Sequence, residues 1–384
     1  MKYNQNFFKL EKNYIFSELK EQKNALISKG CQIIDLGIGD VKLPVFPLVA
    51  NAMKKASEDL TNKKTFVGYP PAEGYPFLRQ KIAENYLLEG ASVLEDEIFI
   101  TDGAKSQLGS ILELFGFGAK VLFLTPCYPA GAESNILLGN QVTYLVGTEE
   151  NDFIPSPPID KSYDLIYICS PNNPTGSAFS FSHLTEWVNY ALTTGAVIIY
   201  DGAYSAFLPD GYPKTIYAIN GANRCAIEIR SFSKSLGFTG IRCGFTVIPK
   251  TLGDYNFLWK RRLGCRFNGV SFISQKGAES IFSKDGKEEV KKRINFYKTN
   301  AEILKIALKN KNLWYNNTIS SPYVFAKVPD EKTSREFCKE MLEKICVVAT
   351  PGSGFLSGGE GYFRLSAFET RENILKAADR ILTL

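Results

Sequence analysis

Seven short apolar runs, separated by helical or loop stretches, dominate the middle of the chain. Each run is rich in β-branched, leucine or aromatic residues, which is typical of strands that are buried on both faces. The runs cover residues 97–101, 120–125, 141–146, 164–170, 196–201, 225–230 and 243–248. Their alternation with helices predicts an α/β fold, in which a mostly parallel seven-stranded sheet carries helices on both faces.

The pattern changes on both sides of this region. Residues 48–60 and 76–89 have the spacing of helices, and a turn rich in proline and glycine separates them. After about residue 270, a long charged helix at 287–310 precedes a short strand, another helix and a glycine-rich segment. This second pattern indicates a smaller α+β domain. We therefore predict an N-terminal arm with part of the small domain at 1–40, a large α/β domain at 41–268 and a small C-terminal domain at 269–384.

Composition and charge favour an ordinary soluble protein. The 384 residues are 45% hydrophobic and carry a net charge of +5 that is spread along the chain, so we expect neither a nucleic-acid partner nor a membrane surface. No apolar run approaches the roughly 20 residues needed to cross a bilayer. The eight cysteines form no CxxC pair and follow no secretory leader, which predicts a reduced, cytoplasmic location.

A single histidine, His183, narrows the chemistry further. Zinc sites and Ser-His-Asp triads normally need a well-placed imidazole, and His183 lies in a stretch that reads as the start of a surface helix. We therefore expect no metal site.

The segment from Ser231 to Arg242, SFSKSLGFTGIR, carries the most informative chemistry. It follows a buried run and places Lys234 among hydroxyls, with an arginine eight positions later. A desolvated lysine near other cations loses its proton and becomes a nucleophile, while Ser231, Ser233 and Arg242 can hold a phosphate group. The combination predicts a pyridoxal phosphate site.

A buried carboxylate supports the same prediction. Asp201 ends the run at 196–201, where it needs a cationic partner to remain charged, and a protonated pyridine nitrogen would be such a partner. The alternative is that Asp201 only caps the next turn. Tyr204, three residues later, is placed to reach the phenolic oxygen of the same ring.

Three further segments are weak signals when each is taken alone. Asn173 in SPNNPTG follows a buried run and points to the same sheet edge as Asp201. Ala104 and Lys105 in DGAKSQ begin a helix whose backbone N–H groups could bind phosphate. Tyr128 in TPCYPAG offers a flat face for stacking.

The order and spacing of these segments carry more information than any one of them. From KNYIF through GIGD, GYPPAEG, DGAK, PCYPA, SPNNPTG, DGAYSAF, SFSKSLGFTGIR, FNG and GSGF to GGEGYFRLSAF, the chain resembles the fold-type I, class I/II pyridoxal phosphate-dependent aminotransferases nearly end to end. Within that family it is most similar to members that act on LL-2,6-diaminopimelate in lysine biosynthesis.

The resemblance implies a role for each cofactor residue. Lys234 would hold the cofactor as an imine and later move a proton, Asp201 would pair with the pyridine nitrogen, and Tyr204 and Asn173 would bond the phenolic oxygen. Tyr128 would stack on the ring. The phosphate would be held by Ala104, Lys105, Ser231, Ser233 and Arg242, with Tyr69 reaching across from a second subunit.

The resemblance also implies a substrate and a partner. Arg364 would bind the substrate α-carboxylate beside Tyr128 and Asn173, since arginine suits bidentate contacts. The distal end of the substrate would meet Tyr14, Gly39, Lys105 and Asn268. The implied reaction converts LL-2,6-diaminopimelate and 2-oxoglutarate to tetrahydrodipicolinate, glutamate and water, in a homodimer with shared active sites.

One position departs from the family pattern. An acidic residue usually stands three beyond the tyrosine that corresponds to Tyr69, where this chain has Ala72 and places the acid at Glu73. That carboxylate would help to hold the distal ammonium group. Either Glu73 substitutes through a different turn, or the enzyme accepts another amino donor, aromatic or dicarboxylic.

Two readings from other classes have less support. Ser231 to Lys234 matches the S-x-x-K pattern of serine acyl-enzymes, but the companion S-D-N and K-T-G elements are absent from the sequence. A non-catalytic pyridoxal-binding sensor domain is the other reading. The joint presence of Lys234, Asp201 and Arg364 favours catalysis over a sensor.

Overall fold

The computed structural model describes residues 2–10, 23, 24, 26–28, 30–159, 161–318, 321–329 and 331–384. The strands, in chain order, are β1 Ile34–Asp35, β2 Ile98–Thr101, β3 Lys120–Thr125, β4 Gln141–Val146, β5 Leu165–Cys169, β6 Val197–Asp201, β7 Ala226–Ser231, β8 Gly244–Val247, β9 Tyr323–Lys327, β10 Val347–Val348, β11 Thr350–Pro351 and β12 Tyr362–Ser366. The α-helices are α1 Pro47–Asp59, α2 Pro76–Leu88, α3 Ala104–Ser110, α4 Ala130–Leu138, α5 Phe181–Thr194, α6 Tyr255–Arg266, α7 Phe272–Glu279, α8 Lys284–Asn310, α9 Ser334–Ile345 and α10 Arg371–Leu382.

The central sheet has seven strands in the order β2-β8-β7-β6-β5-β3-β4. Strand β8 runs antiparallel to both of its neighbours, and the other neighbouring pairs are parallel. The predicted mostly parallel sheet is confirmed, and each strand begins and ends within one residue of its predicted bounds.

Helices cover both faces of this sheet, which explains why its strands read as continuous apolar runs. In β5, Leu165 and Tyr167 pack in one cluster, which also contains Trp259 of α6. Their neighbours Ile166 and Ile168 pack in another cluster, against Leu184, Trp187 and Val188 of α5. Alternate side chains of a strand point to opposite faces, so both sides of β5 are buried.

A second layer lies in the C-terminal part of the chain. Strands β11, β12 and β9 form an antiparallel sheet, and β1 pairs in parallel with β10. Ile34 and Leu36, from the N-terminal part, share a hydrophobic core with Leu304 of α8 and Phe337 of α9. The division into three segments at residues 40 and 268 stays a prediction.

Two general features of the described residues bear on function. No helix among them is long and apolar enough to span a bilayer. The eight cysteines are all free thiols, and the described part of the chain contains no group of three or more potential ligands that could hold a metal ion.

Candidate active site

A cavity of about 450 Å³ lies at the edge of the central sheet where β5, β6 and β7 end. It contains most of the residues that the sequence singles out. Those that line it are Gly39, Ala104, Lys105, Tyr128, Asn173, Asp201, Tyr204, Ser231, Ser233, Lys234, Arg242 and Arg364.

Three predicted site residues are not among the lining residues. Tyr69 and Asn268 lie outside the cavity of their own chain, and Tyr14 lies outside the described residues. Tyr69 is 87% exposed. The segment that contains Asn268 contacts the turn after Tyr69: a Cβ atom added to Gly269 would lie only 2.5 Å from the Pro71 carbonyl oxygen. These two residues therefore sit on neighbouring parts of the outer surface.

The parallel register of the sheet brings the chemistry together. Cys169, the last residue of β5, pairs with Asp201, the last residue of β6, and Asp201 pairs with Ile229 in β7. The ends of these three adjacent strands therefore lie side by side, and Asn173, Asp201 and Lys234 are all at or just beyond them. Ligands of such sheets bind beyond the carboxyl ends of the strands.

Lys234 is half-buried and lines the cavity together with the other charged groups. Its Nζ donates a hydrogen bond to the Gly39 carbonyl oxygen and lies 5.4 Å from the centre of the Phe368 ring. The pKa of this lysine is lowered to about 8, mainly by burial and also by the Arg364 and Arg242 guanidinium groups, while the Asp40 carboxylate acts in the opposite direction. A substantial fraction of its amine is thus neutral near physiological pH, as a nucleophile requires.

Asp201 both caps a turn and faces the cavity. Its Oδ1 accepts from the backbone N–H of Ala203 at 3.0 Å, and its Oδ2 accepts from the Tyr167 hydroxyl at 2.7 Å. Burial raises its pKa, while the two hydrogen bonds oppose that change. The turn-capping interpretation and the ring-pairing interpretation are therefore compatible, since the capping bond occupies only part of a carboxylate that still lines the cavity.

Arg242 lies beside hydroxyl groups and the start of a helix, an arrangement that could bind an anion. Its Nη1 donates to the Ser233 hydroxyl at 3.2 Å and to the Thr239 carbonyl oxygen at 3.3 Å. Gly103 has a φ of 122°, and a Cβ atom there would overlap the Arg242 guanidinium group, so only glycine allows this close approach. Helix α3 begins directly afterwards at Ala104.

Arg364 of β12 is 1% exposed and is held on several sides. Its Nη1 donates to Asn173 Oδ1 at 2.6 Å, and its Nη2 donates to the Gly37 carbonyl oxygen and to Thr350 Oγ1. The guanidinium carbon lies 4.4 Å from the centre of the Tyr323 ring. Burial lowers the pKa of Arg364, yet arginine remains charged in proteins, so this cation is available to a carboxylate in the cavity.

Asp40 and Tyr323 also line the cavity, although the sequence pattern does not single them out. Asp40 has a buried Oδ1 with no hydrogen-bond partner, next to the Gly39 carbonyl that Lys234 contacts. Tyr323 is the first residue of β9, and its hydroxyl lies 2.8 Å from that of Tyr204. Asp40 belongs to the GIGD segment, but its proximity to Lys234 arises only in the folded chain, and nothing in PYVFAKV indicates which side chain faces a cavity.

The donor set fits the polar parts of pyridoxal phosphate. Arg242, Ser231, Ser233 and the start of α3 can hold a phosphate, and Asp201 can pair with a protonated ring nitrogen. Lys234 can form the covalent bond, and Arg364 remains for a substrate carboxylate. The cavity therefore supports amine chemistry on an anionic substrate.

Comparison with known proteins is consistent with this geometry. Residues 32–381 match the family model described as aminotransferase class I and II. The chain is 41% identical to the LL-diaminopimelate aminotransferase of Prochlorococcus marinus over 99% of both chains, and 42% identical to that of Parabacteroides distasonis over 98% of both. The structure of L,L-diaminopimelate aminotransferase from Chlamydomonas reinhardtii matches with a TM-score of 0.93 and 38% identity, covering 99% of this chain and 98% of that one.

The lowered pKa of Lys234 predicts selective labelling in the cofactor-free protein. Because its amine is neutral above about pH 8, its reaction with an amine-specific reagent should rise with a midpoint near that pH. Lys292 is the control, since Glu289 raises the pKa of this lysine and its labelling should require a higher pH. Peptide mapping by mass spectrometry measures both.

The variant Asp40→Asn tests the cause of the shift. Loss of a carboxylate that raises the pKa of Lys234 should move the labelling midpoint downward by roughly one unit. An unchanged or higher midpoint would mean that Asp40 does not act on Lys234.

Proposed function

The chain belongs to the class I and II aminotransferases, and from that membership we propose that it transfers an amino group from LL-diaminopimelate to 2-oxoglutarate. The protein is a pyridoxal phosphate-dependent aminotransferase. The observation that carries the substrate proposal is full-length identity of 41% and 42% to two proteins named for that substrate.

The residues of the cavity would hold the cofactor at three points. Ser231, Ser233, Arg242 and the N–H groups of Ala104 and Lys105 would bind the phosphate, and Tyr128 would stack on the ring. Asp201 would keep the ring nitrogen protonated, helped by Tyr167, whose hydrogen bond favours the charged carboxylate. Lys234 would bind the cofactor until the substrate amine takes its place, and pyridoxal phosphate would then supply an electron-poor ring that can accept the electron pair released at the substrate α-carbon.

Arg364 would bind the substrate α-carboxylate with the geometry of a bidentate pair. The hydrogen bond from Arg364 also fixes the orientation of the Asn173 side-chain amide, because its Oδ1 atom faces the guanidinium group. The Asn173 NH₂ group is then the part that would donate to the phenolic oxygen of the ring, together with the Tyr204 hydroxyl.

Lys234 would carry the proton during catalysis. A neutral amine can accept the α-proton, and a pKa of about 8 places this lysine close to the operating pH, where an acid–base group is most efficient. Asp40 would stabilise the ammonium form that results, while Arg364 and Arg242 would favour return of the proton.

Four of the predicted residues would surround the distal end of the substrate. Gly39 and Lys105 line the cavity, and Tyr14 and Asn268 would complete the contacts, Asn268 from a second subunit. Ala72 packs against the core cluster of the central sheet, and the adjacent Glu73 carbonyl oxygen accepts from Ile100 N–H at 2.9 Å. This hydrogen bond holds the turn against β2. The Glu73 carboxylate is therefore attached at a different point of the turn from a carboxylate that would stand at position 72.

A homodimer with shared sites would explain the two exposed site residues. Tyr69 and Asn268 lie on neighbouring surface segments and do not reach their own cavity. We propose that they enter the cavity of a partner subunit, where Tyr69 would contact the cofactor phosphate.

The free thiols also suit a reducing compartment, and we propose the cytoplasm as the location.

The substrate proposal is tested by a half-reaction. Mixing the yellow holoenzyme with LL-diaminopimelate, without an oxo acid, should bleach the visible absorbance rapidly, because the amino group moves to the cofactor. The meso isomer is the matched control and should react far more slowly. Bleaching by another amino acid but not by LL-diaminopimelate would refute the substrate and leave the aminotransferase chemistry intact.

The shared site predicts complementation between inactive variants. An equal mixture of Lys234→Ala and Tyr69→Ala chains, allowed to exchange subunits, should recover about a quarter of the wild-type sites, since half the dimers are hybrids with one intact site. Lys234→Ala mixed with Arg364→Ala is the control and should recover none, because both residues line the same chain's cavity. Equal activities in the two mixtures would contradict a shared site.

A further inference from the structure

Two tyrosine hydroxyls form a buried pair at the cavity wall. Tyr204 follows β6 of the central sheet, whereas Tyr323 begins β9 of the C-terminal sheet. Their Oη atoms are 2.8 Å apart, their ring centres are 5.3 Å apart, and the side chains are 7% and 2% exposed. Both line the cavity, so the bond joins the two sheets at the active site.

The bond has a direction that matters for chemistry. Each hydroxyl has one proton to donate, and if Tyr204 gives its proton to Tyr323, it has none left for the phenolic oxygen of the cofactor. We propose that Tyr323 donates to Tyr204 and thereby directs the single Tyr204 proton into the cavity. Tyr323 is then a positioning residue, and this role rests on the proposed function of Tyr204.

Charge near the pair favours that direction. The Arg364 guanidinium carbon lies 4.4 Å from the centre of the Tyr323 ring, and a cation over a phenol makes its hydroxyl a stronger donor. Burial raises the pKa of both hydroxyls, that of Tyr204 well above its usual range, and Arg364 opposes the rise at Tyr323 more than any other group. The more acidic partner is the better donor.

Packing leaves the Tyr323 hydroxyl little freedom to turn away. Gly39 lies against it, and a Cβ atom at that position would overlap the Tyr323 oxygen. The Tyr323 ring makes an edge contact with Phe368 at 5.8 Å between centres. Residue 39 therefore allows the hydroxyl to sit where it meets Tyr204, and the same residue supplies the carbonyl that Lys234 contacts.

Other titratable groups face the pair from three elements. Arg364 approaches from β12, Cys169 from the end of β5 and Tyr128 from the loop after β3. Burial raises the pKa of the Cys169 thiol well above its usual range, so it stays protonated, and Arg364 stays charged. A change in the holoenzyme spectrum around neutral pH would therefore report on the cofactor and not on Cys169 or Arg364.

The pH midpoint of the holoenzyme's visible-absorbance change reports which tyrosine donates the hydrogen bond. A donor to the phenolic oxygen stabilises its anion and so lowers the proton affinity of the nitrogen that joins Lys234 to the cofactor. A Tyr204 hydroxyl that accepts from Tyr323 is a stronger donor, because hydrogen bonds in a chain polarise one another. Loss of the Tyr323 hydroxyl should then raise the pH midpoint of the visible-absorbance change.

The test is an absorbance titration of the Tyr323→Phe holoenzyme, which keeps the ring and removes the hydroxyl. We expect the midpoint to rise by roughly 0.3 pH unit, about a twofold change in the protonation equilibrium. A fall would show that Tyr204 donates to Tyr323 in the native protein, and an unchanged midpoint would show no coupling. Either result overturns the proposal.

Three further variants distinguish the role of Tyr323 from the proposed role of Tyr204. Tyr297→Phe removes another buried hydroxyl of the same aromatic cluster, one that accepts from Leu43 N–H and does not line the cavity, so the midpoint should not move. Gly39→Ala should displace the Tyr323 hydroxyl and shift the midpoint in the same direction as Tyr323→Phe. Tyr204→Phe should shift it further upward, and an unchanged midpoint in that variant would refute the Tyr204 role instead.

Discussion

The charge balance of the cavity is the constraint on which the site depends. Lys105, Lys234, Arg242 and Arg364 line it together with the carboxylates of Asp40 and Asp201. Burying a cation costs free energy unless opposite charge accompanies it. Arg364 is fully buried, Lys234 and Arg242 are half-buried and Lys105 is exposed, and the two carboxylates do not match the four cations in number. An excess of positive charge in a protected cavity favours dianionic phosphate and substrate carboxylates, and it also keeps the Lys234 amine reactive.

The central sheet brings these positive charges together while keeping its own interior apolar in most positions. Strands β5, β6 and β7 are buried on both faces, and the polar residues that line the cavity lie at or just beyond their carboxyl ends. Glu228 in the middle of β7 is also buried, and it is paired with Arg230 at 3.0 Å. The C-terminal sheet then adds Arg364 and Tyr323 from the other side. The cavity is therefore a junction between two layers, and its chemistry depends on contacts that cross from one to the other, such as Arg364 with Asn173 and Tyr323 with Tyr204.

Much of this arrangement was predictable from local pattern. Buried strands are continuous apolar runs, so the central sheet was located to within a residue, and Lys234, Asp201 and Asn173 follow directly from strand ends. Tyr323 was not predictable, because its neighbours come from residues 39, 204, 364 and 368, and only tertiary packing brings them together. Asp40 was overlooked for a related reason, since its relation to Lys234 spans nearly two hundred positions of sequence.

The proposed chemistry requires Lys234 to bind the cofactor, and one measurement tests this directly. The yellow holoenzyme is reduced with sodium borohydride, digested and mapped by mass spectrometry. We expect loss of the visible colour and a single pyridoxyl group on the peptide that contains Lys234. A pyridoxyl group on Lys105, which also lines the cavity, or on any surface lysine instead of Lys234 would contradict this assignment.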